Sequence, residues 1–262
     1  MCRKGTNSPL CQRGLFNFNT VLILLGTGLL FSCGLETYTY LYPISTDTVS
    51  SDPTVGYYQF THNTDNDLDE FLGYEIFYKL YTPDSSEILN DRSSLENAYL
   101  ATESPITTGR NFSRLRLKKA SDNTVLDNKP LLEIFSGQRG TPWVFRLDFS
   151  PLLKTPKEAP ILIWYQPDGT TEVARFTLLR EIRTVHTGTD DETFLPDQFL
   201  ETDPDVNKMN VKNIVRTKSK LAVVFAVAAF GRKLDTTPIY SNIVFLNRSS
   251  STSDVLTIDL SQ

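Results

Sequence analysis

The sequence predicts a mainly β protein carried behind a signal segment and a tether. Three observations carry that expectation. Apolar and polar residues alternate over several short stretches, the period of a half-buried strand. Turn chemistry separates such stretches, most clearly at Pro167-Asp168-Gly169, where Pro pre-sets φ and Gly accepts positive φ. Segments with helical spacing are few and short.

The 262 residues are 40% hydrophobic, 22% charged and 11% aromatic, an ordinary globular composition. A net charge of −5 argues against a broad nucleic-acid-binding surface. Two His and three Cys leave little material for a metal or disulfide framework.

Residues 1–32 read as a lipoprotein signal peptide. Arg3, Lys4 and Arg13 are the only charges before Cys33, and Val21–Phe31 is an apolar run of 11 residues. That run is shorter than the roughly 20 residues a membrane-spanning helix needs and fits a secretory core. Leu30-Phe31-Ser32-Cys33 resembles a relaxed bacterial lipobox. The resemblance implies cleavage before Cys33, a diacylglycerol on its sulfur and a fatty acyl chain on the new amine, with no other cofactor. Two or three chains give stable membrane anchoring, since each buried CH₂ contributes about 0.8 kcal/mol. Cleavage removes three basic residues and no acid, leaving 23 basic against 31 acidic residues, a net charge of −8. Cys2 and Cys11 leave with the signal. The exported chain then has one thiol, reserved for lipid, and its fold rests on its core.

Residues 33–54 read as the lipidated Cys and a flexible tether, rich in Ser, Thr, Pro and Asp. Tyr38, Tyr40 and Tyr42 alternate there, as an edge strand or as rings at the bilayer interface. From 55 to 262 the signal is β. In Leu72–Tyr81, Tyr74, Ile76, Tyr78 and Leu80 fall on one face. Ser93–Leu100 is a short helix candidate with Ser93 as cap and Glu96 three residues on. Phe112–Lys119 sets Leu115 and Leu117 against Arg114, Arg116 and Lys118, the pattern of a protected edge strand. Trp143, Phe145, Leu147 and Phe149 share a face. Ile161–Gln166 and Glu172–Ile182 form a hairpin about the Pro-Asp-Gly turn. Leu221–Phe230 is apolar on both faces and, with three Val, two Phe and a following Gly231, reads as a central strand. Ile239–Leu246 is its partner, and Val255–Leu260 is a last strand.

Two stretches carry a resemblance. Residues 57–81, with GYEIFYK, and residues 221–246 resemble adjacent strands of immunoglobulin-like and fibronectin type III sandwiches, with Phe60 where that family usually carries Trp. Their separation implies either one sandwich with an inserted β-rich unit at about 83–190 or two sandwiches in tandem. Together with the lipobox, CGLETYTYL and PIYSNIVFL, the chain is similar to spirochaete lipoproteins of the treponemal kind. That similarity implies an envelope address on the periplasmic face or outer surface, and a role in binding or envelope structure.

No nucleophile elbow, P-loop, zincin motif or Cys pair is present, so the chain reads as non-enzymatic. His62, in a THNTDND loop, reads as solvated, and His186 is the only other imidazole. Asp65, Asp67, Asp69 and Glu70 alternate as calcium ligands can, but Glu70 stands where an EF-hand needs Gly. A solvated loop is the plainer reading, as for Asp190, Asp191 and Glu192 and for Asp203 and Asp205. Paired carboxylates leave an envelope hydrolase as the least favoured alternative. Lys208, Lys212, Arg216, Lys218 and Lys220 form a basic run suited to anionic headgroups, or a solvated strand approach. Trp143 and Trp164 are candidate stacking platforms for a glycan or other solute, or else core aromatics. Asn111 and Asn247 head glycosylation sequons, a reading the bacterial signal argues against.

Overall fold

The computed structural model describes residues 40–52, 54–96, 98, 100, 102–181, 192–247 and 255–261. The signal peptide, Cys33, His186, Asp190 and Asp191 lie outside the described residues.

The strands in chain order begin with β1 (Ser50–Asp52), β2 (Tyr57–Thr61), β3 (Phe71–Tyr81), β4 (Ser113–Arg114) and β5 (Arg116–Lys119). Next come β6 (Val125–Leu126), β7 (Leu132–Glu133), β8 (Val144–Asp148), β9 (Ile161–Tyr165) and β10 (Glu172–Leu179). The last are β11 (Lys220–Arg232), β12 (Pro238–Tyr240), β13 (Val244–Phe245) and β14 (Leu256–Asp259). Helices α1 (Glu87–Leu95), α2 (Ser104–Arg110) and α3 (Met209–Thr217) lie between them.

The chain is mainly β, with two antiparallel sheets. The first has the order β1-β2-β8-β9-β10-β5-β6. The second is built on the long pair β3 and β11, which runs from Ala222↔Tyr81 to Gly231↔Phe71. The far edge of β11 takes β14, β13 and β12 in succession, while the far edge of β3 takes β7 and β4. Strands β5, β6, β8, β9 and β10 supply five of the seven strands of the first sheet. The stretch expected as an insert at 83–190 is therefore part of the sandwich, and residues 40–262 form one unit.

The alternation in the sequence explains the layers. Tyr74, Ile76, Tyr78 and Leu80 of β3 and Leu221, Val223, Phe225 and Val227 of β11 share a core with Tyr58, Phe60, Phe145, Leu147, Leu162 and Leu178 of the first sheet. Each such side chain contributes roughly 1.5–3 kcal/mol by leaving water. The opposite face of the second sheet, with Phe77, Tyr81, Val224, Ala226 and Phe230, packs with Ile88 and Leu95 of α1 and Ile106 of α2. Strand β11 is thus buried on both sides, which is why Leu221–Phe230 carries no polar face. The hairpin at 161–179 forms as expected, with Gly169 at φ 68° and its N–H donating to the Gln166 carbonyl at 2.9 Å.

Several expectations are corrected. The flexible tether does not extend through 40–52: Leu41, Ile44 and Val49 are buried in the core, and β1 pairs with β2. Asn66 clamps that segment, accepting from the Tyr42 N–H at 2.8 Å and donating to the Tyr42 carbonyl at 2.7 Å. The first helix starts at Glu87, not Ser93. Its buried positions Ile88, Asp91 and Leu95 share one stripe, and Ser93 merely donates its hydroxyl to the Asn90 carbonyl at 3.1 Å. The basic run is not a strand approach as a whole. Val211 and Val215, four apart, bury one face of α3 and leave Lys212 and Arg216 toward its wetter side. Finally, Phe112–Lys119 is not one continuous edge strand: β4 does lie at an edge of the second sheet, but β5 lies between β10 and β6 in the first. Ser113 and Arg114 pair with Tyr78 and Phe77, and two residues later Arg116 pairs with Leu179 in the other sheet. The segment is a corner at which the chain changes sheets.

Candidate functional site

The sheet-changing corner positions a charged recess. Helix α2 ends at Asn111 in the left-handed region, φ 56°, a conformation Asn tolerates. The reversal sends Phe112 into the outer cluster, its ring 5.9 Å from that of Phe245. In the extended stretch that follows, Leu115 and Leu117 are fully buried, and Arg114 and Arg116 project to the other side. A recess of about 320 Å³ opens there, lined by Thr107, Phe112, Ser113, Arg114, Arg116, Asp127 and Glu181.

The two arginines differ sharply. Arg114 is saturated. Its Nε and NH2 form a fork on Glu75, NH2 lying 3.0 Å from Oε1, and NH1 donates to the Asp127 carbonyl at 2.9 Å and to its Oδ1 at 3.2 Å. A further N–H reaches the Asn128 carbonyl. Burial raises the Glu75 carboxyl, with Arg114 opposing. Burial works to lower the Arg114 guanidinium, but Glu75 and Asp127 outweigh it and raise it. Arg116 has no such partners. Its side chain is 13% exposed, its nearest carboxylate oxygen is Asp127 Oδ2 at 3.8 Å from Nε, and that buried Nε makes no hydrogen bond. In the same recess, the Glu181 carboxylate accepts among the described residues only from the Ser113 hydroxyl, while the Glu181 N–H donates to the Tyr78 hydroxyl at 2.8 Å. Among the described residues no cation pairs with Glu181. A guanidinium and a carboxylate thus line one recess without closing on each other.

A second recess, about 600 Å³, is lined by Tyr42, Ser45, Asn63, Asp65, Glu96 and Asn242 among others. The Tyr42 ring is 42% exposed and meets Tyr40 edge-on at 5.4 Å. Burial raises the Glu96 carboxyl, Arg92 opposing.

The residues singled out in the sequence do not converge. His62 is buried, not solvated: its Nε2 lies 2.7 Å from the Arg139 carbonyl and its Nδ1 2.7 Å from the Tyr74 hydroxyl. A carbonyl only accepts, so Nε2 carries the proton and Nδ1 accepts from Tyr74. The ring stacks on Phe71 at 5.4 Å, and burial lowers its pKa. Asp65, Asp67 and Asp69 are each exposed. Among the described residues no group of three His, Cys, Asp or Glu is placed to hold a metal. Asp203 and Asp205, expected in solvent, are buried against Arg180, and Glu192 is buried with its carbonyl accepting from the Arg180 N–H at 2.6 Å. Trp143 and Trp164 are half-buried against the main core, edge to face at 5.7 Å, and the Trp143 indole donates to the Gln138 carbonyl at 2.9 Å. Asn111 caps α2, and Asn247 is buried.

The sequence reading gave Arg116 and Tyr42 other roles, an edge-strand charge and a ring of the tether, and missed Glu181. Arg116 carried a signal, a second Arg two residues after Arg114, but nothing local distinguishes the saturated one from the one whose Nε is left unbonded. No helix among the described residues is long and apolar enough to cross a membrane. No family model, curated protein or solved structure matches the chain.

Proposed function

We propose that the chain is a bacterial lipoprotein, anchored through Cys33 to an envelope membrane, that binds a small charged solute rather than transforming it. The anchoring rests on the basic segment, short apolar run and Leu-Phe-Ser-Cys motif, and on the likeness to treponemal lipoproteins. The binding reading is carried by one observation: a nearly buried guanidinium, Arg116, lines an open recess with its Nε making no hydrogen bond and its nearest carboxylate oxygen 3.8 Å away. Leaving a buried charge-bearing donor unmet is unfavourable by about 1–3 kcal/mol, and a ligand acceptor removes that deficit. The other polar groups of the recess favour a static binding surface, since Arg114 is held from five directions and Ser113 is tied to Glu181.

Anchoring is tested by metabolic labelling with radioactive palmitate in a bacterial host. Label entering the full chain and absent from Cys33→Ala is expected, and equal labelling of both would overturn the reading. Binding is tested by calorimetric titration of the detergent-solubilised lipoprotein with small charged solutes. Uptake lost in Arg116→Met is expected, and identical titrations for the two proteins would refute it.

A second reading, a glycan-binding lipoprotein, is favoured by the exposed Tyr42 ring beside the carboxylates Asp65 and Glu96 and the amide of Asn242. An apolar ring face with planar hydrogen-bonding groups around it suits a polyhydroxylated ligand. It replaces Trp143 and Trp164 as the stacking surface. A Tyr42→Ala variant that retains glycan on affinity electrophoresis as well as the parent chain would remove it.

A further inference from the structure

We infer that the recess at the sheet-changing corner takes a zwitterion, a ligand of amino-acid or short-peptide size whose carboxylate meets Arg116 and whose ammonium meets Glu181. The inference rests on the reading of this recess as the binding site and names the ligand class. Four observations support it. First, the recess holds Arg116, whose Nε makes no hydrogen bond and whose nearest carboxylate oxygen, on Asp127, stands 3.8 Å away, and Glu181, whose carboxylate has among the described residues only a hydroxyl as partner. Second, these two line the same cavity yet form no ion pair, although their chemistry favours one wherever they come within reach. Third, the remaining strong charges are already matched: Arg114 is taken up by Glu75 and Asp127. Fourth, a volume of about 320 Å³ lies at the small end of ligand sites.

Charge complementarity then selects among ligands. A simple anion would satisfy Arg116 but face Glu181 and Asp127. A simple cation would satisfy Glu181 but face Arg116. Only a molecule carrying both charges a few ångströms apart meets both groups with attraction, and in a recess of low dielectric each mismatch is penalised more than in water. Arg116 offers a planar fork that matches a carboxylate in two-point contact, and Glu181 offers carboxylate oxygens for N–H donors of an ammonium. Phe112 and Thr107 furnish the wall against which the ligand's own side chain would lie.

The experiment is calorimetric titration of the full-length lipoprotein in detergent with four probes: leucine, N-acetyl-leucine, leucinamide and inorganic phosphate. Leucine is expected to bind. Masking its ammonium or its carboxylate is expected to weaken binding at least about tenfold, the consequence of losing one charge-assisted contact. Arg116→Met is expected to abolish binding, and Glu181→Gln to weaken leucine while leaving N-acetyl-leucine unaffected or tighter. The melting temperature of Arg116→Met separates function from architecture. Removing a nearly buried charge whose Nε is unbonded and whose nearest carboxylate oxygen is 3.8 Å away should leave it unchanged or raised, whereas removing a close structural ion pair would lower it. If N-acetyl-leucine or phosphate binds as tightly as leucine and Arg116→Met abolishes this, the recess is an anion site and the zwitterion inference fails while the binding reading stands. If no probe binds, or if Arg116→Met binds them unchanged, both fail.

Discussion

Arg180 and Asp205 meet as a two-point fork in the interior, Nε 2.9 Å from Oδ2 and NH2 2.7 Å from Oδ1, with side-chain exposures of 1% and 2%. The arrangement is closed on every side. NH2 also reaches Asp203 Oδ2 at 2.8 Å, NH1 reaches the Gln198 carbonyl at 3.1 Å, and the guanidinium lies 3.9 Å from the centre of the Phe199 ring. Tyr78 of β3 donates to Asp205 Oδ2 at 2.7 Å, so burial and Asp205 push its phenol well above the ordinary range. This network fastens the 192–206 segment to the sandwich and is structural, in contrast to Arg116, whose Nε makes no hydrogen bond.

Arg180→Met should therefore destabilise the protein by about 3–5 kcal/mol, because two carboxylates stay buried without their cation. Chemical denaturation measures it. Adding Asp203→Asn and Asp205→Asn to the same chain should restore part of the loss, since the unpaired charges disappear. A single variant as stable as the parent would show that the fork is not closed.

The contrast between the two arginines also marks how far the sequence could be read. Alternation identified the core faces of β3 and β11, because a period of two is a local property of the chain. The turn at Asp168 was equally local. Its carboxylate accepts from the Thr170 and Thr171 N–H groups at 2.8 Å, which with the Thr171 hydroxyl holds it down to about 2. The Asp203 and Asp205 pattern looked like solvent because nothing near them in the chain announces Arg180, more than twenty residues earlier. Arg116 and Glu181 share a recess only because β5 leaves one sheet for the other, a decision made by long-range pairing. Helix α3 was illegible for another reason: Val211 and Val215, whose spacing of four is the helical signal, are only two apolar positions set in a run of basic residues from Lys208 to Lys220.

His62 should make stability acid-sensitive. Burial lowers its pKa below the ordinary 6.5, so below that pH the unfolded chain binds a proton that the folded one refuses. The unfolded state then holds more protons, and stability falls as pH falls through this window, by up to about 1.4 kcal/mol per pH unit. The contribution is fully present above pH 6.5. In His62→Gln, whose amide can bond the Tyr74 hydroxyl and the Arg139 carbonyl without titrating, the drop in denaturation midpoint between pH 7 and 5 should be smaller than in the parent. Equal slopes would exclude His62 as the sensor.

Gly73 and Gly231 should tolerate no side chain. Gly73 has φ 153°, and a Cβ there would lie 1.9 Å from the Leu132 carbonyl oxygen of β7. A Cβ on Gly231, at the bulge where β11 changes register against β3, would lie 2.2 Å from the Glu70 carbonyl oxygen. Backbone atoms on both sides cannot yield cheaply, so Gly73→Ala or Gly231→Ala should each lose about 1–3 kcal/mol or more. Gly137, with nothing within 4 Å of its Cβ position, is the control, and Gly137→Ala should stay within about 0.5 kcal/mol of the parent. Thermal melts of the three variants decide the point.

Asp91 docks helix α1 on the outer face of the second sheet and should control a buried lysine. Its Oδ2 accepts from Lys79 Nζ at 2.5 Å and from the Tyr81 hydroxyl at 2.8 Å, and Arg110 stands 3.4 Å from Oδ1. Burial lowers the Lys79 ammonium while Asp91 raises it, so Asp91→Asn removes the group that keeps the charge in place. The variant should lose about 3–5 kcal/mol near neutral pH, where a buried ammonium stands without its counter-ion. Its Lys79 pKa should then fall further below the unfolded value, so between the two the unfolded state holds the extra proton and stability rises with pH. Part of the loss should be recovered between pH 7 and 10, a recovery smaller in the parent, whose Lys79 is lowered less, and absent in Lys79→Met/Asp91→Asn. A loss independent of pH would show that Asp91 acts through helix packing and not through the Lys79 charge.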